Sequence, residues 1–306
     1  MEPTMLSMRF FNLSQAIEDL RSAFLEEGYL FIRNFFKHRE IECLRLSTLK
    51  TLTARGWAIF NEKDHRVLEP IHRIGSLEFF SCIQELIKNE EMHQLAYSNE
   101  LLLLLQGLLE EDVYPHPRKM VRISYPYAMN PMDLTPAHQD IFYVRGEPDT
   151  FTVWIPLGNY SIKEGGLQVA SGSHLKGLYP SRANHEGRFN CTASEIGLEF
   201  LDWRQTDFEM GDILIMHSLT LHQAVRNETN KFRISLDCRF SSKKGHINEE
   251  QLLPPYFPNI EGWNILCQNW QNPHRFALPK TIKLDSPNFP LEKVMQRPSM
   301  LTQIKV

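Results

Sequence analysis

The sequence predicts a mainly β protein with N-terminal helices, its core a β-sandwich or jelly roll. From Lys119 the apolar period becomes two, with Val121 and Ile123 opposite Met120, Arg122 and Ser124, as a half-buried strand requires. Strand-like runs bounded by Gly, Pro and Asn recur at 119–125, 150–158, 166–170, 206–216, 221–226 and 231–241. No long segment of helical period separates them, and short strands at such spacing are the pattern of sandwiches and jelly rolls. Before Lys119 the period is helical instead.

In chain order, residues 12–27 read as an amphipathic helix, with Ala16, Leu20, Ala23, Phe24 and Glu27 on successive turns and Gly28 as its stop. A second helix is expected over 38–53 and further helix over 76–110, ending in five leucines, Leu101 to Leu105. That run is too short to cross a bilayer and reads as core packing. Residues 1–118 are thus mainly helical support for one sheet of a 119–241 jelly-roll core. The stretch 171–203, rich in Ser, Gly, Asn and His, is expected to be a long loop walling the mouth of a site. Residues 242–306 interleave Pro254, Pro255, Pro258, Pro279, Pro287 and Pro290 with Phe257, Trp263, Trp270 and Phe276. Prolines preclude long regular elements while the aromatics demand burial, so this is an irregular arm wrapped on the barrel and reaching the pocket. A chain of 306 residues, 42% hydrophobic, can bury one large core, and 1–306 is expected to form a single domain.

A formal net charge of −4 with dispersed basic residues implies no general affinity for nucleic acid. No apolar run reaches the length of a membrane span. The five cysteines lack metal spacing and no secretory apolar region precedes them, which points to buried free thiols in a reducing cytoplasm. The expected partner is a small-molecule substrate, and the oligomeric state is left open.

The chemistry centres on Thr135-Pro136-Ala137-His138-Gln139-Asp140. In an extended backbone, side chains two apart share a face, so His138 and Asp140 can converge on one point. An imidazole and a carboxylate completed by a distant histidine make the facial triad that binds non-haem Fe(II) and leaves open coordination positions. Two downstream histidines, His217 and His222, compete for the third place behind the Gly211-Asp212 turn. Farther on, Phe232, Ile234, Leu236, Cys238 and Phe240 alternate with Arg233, Ser235, Asp237 and Arg239. Such a strand suits a barrel with a polar interior, although an edge strand facing solvent would alternate in the same way.

His138-Gln139-Asp140, Trp154, the stretch Gly165 to His174, Gly211-Asp212, and His222 followed eleven residues later by Arg233 resemble the phytanoyl-CoA dioxygenase family of Fe(II)- and 2-oxoglutarate-dependent oxygenases. The resemblance runs from about Leu20 to Phe240, and the stretch from Gly28 to Phe36 is similar to the short strand with which such proteins begin. It implies a double-stranded β-helix of jelly-roll, cupin-like form, with His138, Asp140 and His222 as iron ligands and His217 near the metal without ligating it. Arg233 would hold the remote carboxylate of 2-oxoglutarate, for which a planar fork is better suited than lysine. Arg233 could instead pair with Asp237 as a structural ion pair. Gln139 either donates to the cosubstrate or faces solvent between the ligands, and Trp154 is core or lies beside 2-oxoglutarate. Arg122, Tyr125, Phe142 and Arg239 flank the motifs and are candidates for the substrate side. Ala224 stands where some relatives carry a serine that contacts the cosubstrate. His72, His93, His116, His174 and His185 lack ligand spacing and read as ordinary turn or surface residues.

The resemblance implies oxidation of an unactivated C–H bond, hydroxylation first, with O2 and 2-oxoglutarate as cosubstrates and succinate and CO2 released, the substrate being a small metabolite or natural-product intermediate. Related halogenases lack the carboxylate that Asp140 supplies. Desaturation, epoxidation, ring formation and stereoinversion use the same ligands. A cupin-type metalloenzyme, or a binding protein, that does not use 2-oxoglutarate is the alternative from another class.

Overall fold

The large sheet of the protein, a computed structural model that describes residues 6–61, 64–67, 75–126, 134–183, 189–191, 197–272 and 276–303, has six strands. In spatial order they are Phe10–Phe11, Tyr29–Ile32, Ile213–His217, Phe151–Pro156, Arg233–Ser242 and Val113–Ser124. A four-stranded sheet, Leu6–Ser7, Trp203–Gln205, Leu167–Ala170 and His222–Ala224, faces it. Met8, Tyr29, Phe31, Trp154, Val169, Phe208, Leu214 and Met216 pack between the two sheets, closing one end of a jelly roll.

The period-two reading of the strands holds because each face of the large sheet meets a different environment. Ile234, Leu236, Cys238 and Phe240 join Val153, Ile155, Ile213 and Ile215 in a core shared with the helices, while the polar residues between them point inward. The long strand starts at Val113, six residues before the expected 119, and contains Pro115 and Pro117. Its edge position explains that, since an edge strand can lose ladder donors that a central strand cannot. Gly211, at φ 100, brings its Cβ direction to within 2.5 Å of the Phe36 carbonyl, so only glycine fits that turn. Asp212 then accepts from Arg33 at 2.7 Å and the Asn34 amide at 3.1 Å, pinning the start of the next strand.

The helical support is Ile17–Glu27, His38–Ala54, Leu77–Ile87, Glu90–Gln94 and Asn99–Leu109. The first begins five residues later than the pattern suggests, because Asn12 and Gln15 close a side-chain turn on the backbone instead. The 76–110 stretch is three α-helices, with a 3-10 turn at Leu95–Tyr97 after the second, and each α-helix is started by a side-chain cap: Ser76 on the Phe79 amide, Asn89 on Glu91 and Ser98 on Leu101. In the leucine run, Leu101, Leu104 and Leu105 are buried and Leu103 is exposed, as a helix with one face in the core requires.

Three histidines expected at the surface are buried. His93 bonds the Ile87 carbonyl at 3.0 Å and is ringed by Trp263, Trp270 and Phe276 of the C-terminal arm. His116 pairs with Ser241 Oγ at 2.9 Å, and His174 with the Leu25 carbonyl at 3.0 Å. Spacing could not reveal this, because each is covered by an element distant in sequence. His72 and His185 lie outside the described residues. Cys43 is exposed where buried thiols were expected, whereas Cys82, Cys191, Cys238 and Cys267 are buried.

Burial holds His93 well below its ordinary value, pushes His116 down to about 3 and takes His174 down to about 4. Each must bind a proton on unfolding below about 6.5, so their contribution to stability is complete above that pH and is lost as pH falls toward the folded values. Glu147, pushed up to about 7 by burial, and Asp212, also raised by burial, act in the opposite sense, against these three rings and His222, which burial takes down to about 4. Urea unfolding should therefore show stability falling by several kcal/mol, in order of magnitude, from pH 7 to pH 4.5. A flat or rising profile over that range would contradict the neutral burial of these rings.

Candidate metal centre

His138 and His222 face each other through a two-bond backbone bridge: the His138 amide donates to the His222 carbonyl at 3.0 Å and the reverse bond is 3.1 Å. The bridge brings their ring centroids to 4.2 Å. Asp140 reaches the same point from a helical backbone, φ −63 and ψ −24, at the head of the single turn Ile141–Val144. The extended backbone expected from the i, i+2 spacing thus fails at Asp140, and a turn produces the convergence. Asp140 Oδ1 lies 3.6 Å from His138 Nε2 and 3.9 Å from His222 Nε2. One ligand atom from each of the three buried residues lies within 4.8 Å of the others.

The hydrogen bonds behind the rings decide which nitrogen is available. His138 Nδ1 meets the Pro136 carbonyl at 2.8 Å, and His222 Nδ1 meets the Thr220 carbonyl at 3.0 Å. A carbonyl only accepts, so each Nδ1 carries the proton and each Nε2 turns a lone pair toward Asp140. Burial, with the neighbouring His138, pushes His222 down to about 4, which keeps it the neutral ligand that a divalent metal needs. Burial disfavours the Asp140 carboxylate, but Arg239, together with the neighbouring His138 and His222, outweighs that and holds its pKa well below the ordinary range. Arg239 Nη2 donates to the two oxygens of Asp140 at 3.3 and 3.1 Å, and Thr152 Oγ1 donates to Oδ2 at 2.5 Å. A donor set of two imidazoles with proton-free Nε2 and one ionised carboxylate fits a non-haem Fe(II) site.

A cavity of about 550 Å3 opens in front of this point. It is lined by His138, Asp140, His222, Trp154, Arg233, Arg122, Tyr125, Phe142 and Arg239, so nine of the ten residues singled out in the sequence share one chamber. Arg233 is buried, donating from Nε to the Gly165 carbonyl at 2.6 Å and from Nη1 to Ser235 Oγ at 2.9 Å. Gly165, at φ 80, has no room for a side chain, since a Cβ there would sit 2.8 Å from the Val225 carbonyl. The Arg233 guanidinium lies 5.6 Å from the centre of the Trp154 ring, which also packs on Phe208. Trp154 is therefore both core and cavity wall. Asp237 engages Arg122 at 2.9 Å and Arg239 at 3.5 Å, so it serves those two arginines.

Gln139 is the exception. It is fully buried away from the cavity, donating to the Gly177 and Leu219 carbonyls at 2.8 and 2.6 Å and accepting from the Tyr179 amide at 2.9 Å. It meets neither solvent nor the cavity; it ties the following loop to the metal-ligand segment. Gln139→Leu should lower unfolding stability by about 2–4 kcal/mol, because buried backbone groups lose their partners. In urea titrations and 2-oxoglutarate binding on the same sample, weaker cosubstrate affinity without lost stability would restore the contact role. His217 also stands apart, its ring held between Asp149 at 3.0 Å and the Leu219 amide at 3.1 Å and packed on Phe24, Phe151 and His174. The described residues of 171–203 do not line the cavity, so the expected wall is absent there. Glu250, Gln251, Tyr256, Pro287 and Asn288 of the C-terminal arm supply wall instead.

The sequence reading missed Thr152 and Arg118. Thr152 shares the inward face of its strand with Trp154 and could have been found from that alternation. Arg118 sits four residues before Arg122 on the same strand face, but the expected strand begins one residue too late to include it.

A comparison with protein families matches residues 24–235 to phytanoyl-CoA dioxygenase (PhyH). Among curated proteins the chain is 28% identical over 246 residues to a 1-deoxypentalenic acid 11-beta-hydroxylase of Streptomyces exfoliatus, covering 75% of this chain and 82% of that one. Two solved structures from nogalamycin biosynthesis share the fold. The alpha-ketoglutarate-dependent epimerase SnoN has a TM-score of 0.54 at 17% identity, covering 75% of this chain and 84% of its own. The carbocyclase SnoK has 0.55 at 17% identity, covering 78% of this chain and 88% of its own.

Proposed function

The chain belongs to the phytanoyl-CoA dioxygenase family, and from that premise we propose that it hydroxylates an unactivated C–H bond of a small metabolite or natural-product intermediate, consuming O2 and 2-oxoglutarate and releasing succinate and CO2. The observation that carries the reading is the buried set His138, Asp140 and His222, its Nε2 lone pairs aimed at one point beside a cavity that Arg233 also enters. Bound Fe(II) would supply the activation of O2, and the protein supplies position and a site shielded from water.

His138, Asp140 and His222 would hold the metal, and the Pro136 and Thr220 carbonyls fix the two imidazole tautomers. Arg239 and Thr152 orient Asp140 and keep it ionised, so Arg239 acts on a ligand as well as facing the chamber. Arg233 takes the remote carboxylate of 2-oxoglutarate, its fork preset by Gly165 and Ser235, with Trp154 packed against the guanidinium. Arg122, Tyr125 and Phe142 face the substrate space. Hydroxylation is preferred over epimerisation or ring closure because the named relative with 28% identity is a hydroxylase, whereas SnoN and SnoK share only the fold.

Anaerobic addition of Fe(II) and then 2-oxoglutarate should produce the weak visible charge-transfer band of a chelated keto acid. Iron binding with no band would remove 2-oxoglutarate and favour a cupin-type metalloenzyme. Failure to bind iron at all would favour a binding protein on the same barrel.

A further inference from the structure

The arginines of the chamber outnumber what the iron centre uses. Arg118, Arg122, Arg145, Arg233 and Arg239 line it, against the carboxylates Asp140, Asp237 and Glu250. With neutral imidazoles the described walls therefore carry two excess positive charges. Loading leaves that excess in place, because Fe(II) and the dianion of 2-oxoglutarate cancel each other. Guanidinium donors left open on a chamber wall offer a seat to an anion that binds there.

Arg122 is the group placed to do so. It gives only Nε to Asp237, at 2.9 Å, and its side chain keeps 41% of its surface accessible within the chamber. Among the described residues no acceptor meets its two terminal nitrogens. Arg118, on the same face of the same strand, likewise gives only Nε, to the Leu253 carbonyl at 3.1 Å. Phe79, Ile83, Leu134, Phe142 and Tyr256 line the same chamber.

We propose that the substrate is an organic anion with an apolar body, a carboxylate in the first instance, whose charged end lies on the terminal nitrogens of Arg122 with Arg118 adding to the field. The inference rests on the oxygenase reading above, since it names the substrate class of that same chamber. A guanidinium edge offers two parallel donors to a carboxylate or sulfonate, while the aromatic and aliphatic wall takes the remainder. The anion then fixes which carbon of the apolar body stands before the metal.

The probe is 8-anilinonaphthalene-1-sulfonate, an apolar anion, compared with N-phenyl-1-naphthylamine, the same ring system without the sulfonate. Both are titrated by fluorescence into protein loaded anaerobically with Fe(II) and 2-oxoglutarate, the visible band being recorded before either dye is added. The anionic dye should bind saturably and at least about tenfold more tightly than the neutral one. Arg122→Gln should abolish that preference, Arg118→Gln should reduce it, and Arg122→Lys should keep part of it, having the charge without the fork. Equal affinity of the two dyes for the unaltered protein, or a preference that survives in the Arg118→Gln/Arg122→Gln double variant, overturns the proposal. Should Arg122→Gln fail to fold, Arg118→Gln alone carries the test, and an undiminished preference there counts against it. A band without dye preference removes the anion site and leaves the oxygenase. A dye preference without a band removes the oxygenase and with it the substrate role.

Discussion

Arg233→Ala should weaken 2-oxoglutarate binding by about two to three orders of magnitude while leaving Fe(II) binding in place. Arg233 is 4% exposed and its fork is preset by the Gly165 carbonyl and Ser235 Oγ. Its removal would strand the remote carboxylate of the cosubstrate in a buried chamber. Breaking one side of a buried charge pair costs about 3–5 kcal/mol, and each 1.4 kcal/mol is about tenfold in affinity. Arg233→Lys should recover only part of the loss, since an ammonium cannot present two parallel donors. The measurement is the 2-oxoglutarate concentration at which the visible band is half formed. An unchanged midpoint in Arg233→Ala would return this arginine to a structural role.

His222→Ala should abolish both the band and succinate formation, whereas His217→Ala should keep the band. The two residues are five apart, but only His222 turns an unoccupied Nε2 toward Asp140; His217 is held by Asp149 and the Leu219 amide. His217→Ala should cost stability instead, because Asp149 loses one of the donors it shares with Ser299 and the Met300 amide. Loss of the band in the His217 variant at undiminished stability would place the wrong histidine at the metal.

Much of the chamber is legible in the order of the residues. The alternation of Arg233, Ser235, Asp237 and Arg239 with an apolar set reads directly as two faces, because side chains in a strand have a period of two. What each polar member touches is not legible there. Asp237 is a candidate partner for Arg233 by spacing, yet it serves Arg122 and Arg239, because a strand face brings residues two apart and residues of the neighbouring strand into competition. Gln139 shows the limit most clearly. Its place between two ligands leaves a cosubstrate donor and a solvent-facing residue equally open, and it is neither, being bonded to the Gly177 and Leu219 carbonyls.

The amino-acid sequence by itself determined the mainly β fold with its helical brace, since both rest on periodicity, and the pairing of His138 with Asp140 through their spacing, while the family resemblance chose His222 over His217 as the third candidate ligand. Only the tertiary structure decided that Asp140 is held by Arg239 and Thr152, that His93, His116 and His174 are buried, and that the C-terminal arm walls the chamber where 171–183, 189–191 and 197–203 do not. These depend on which distant segments close over one another. Periodicity records the environment of one residue at a time, while hydrogen bonds, counter-charges and cavity walls belong to pairs of residues that the sequence keeps far apart.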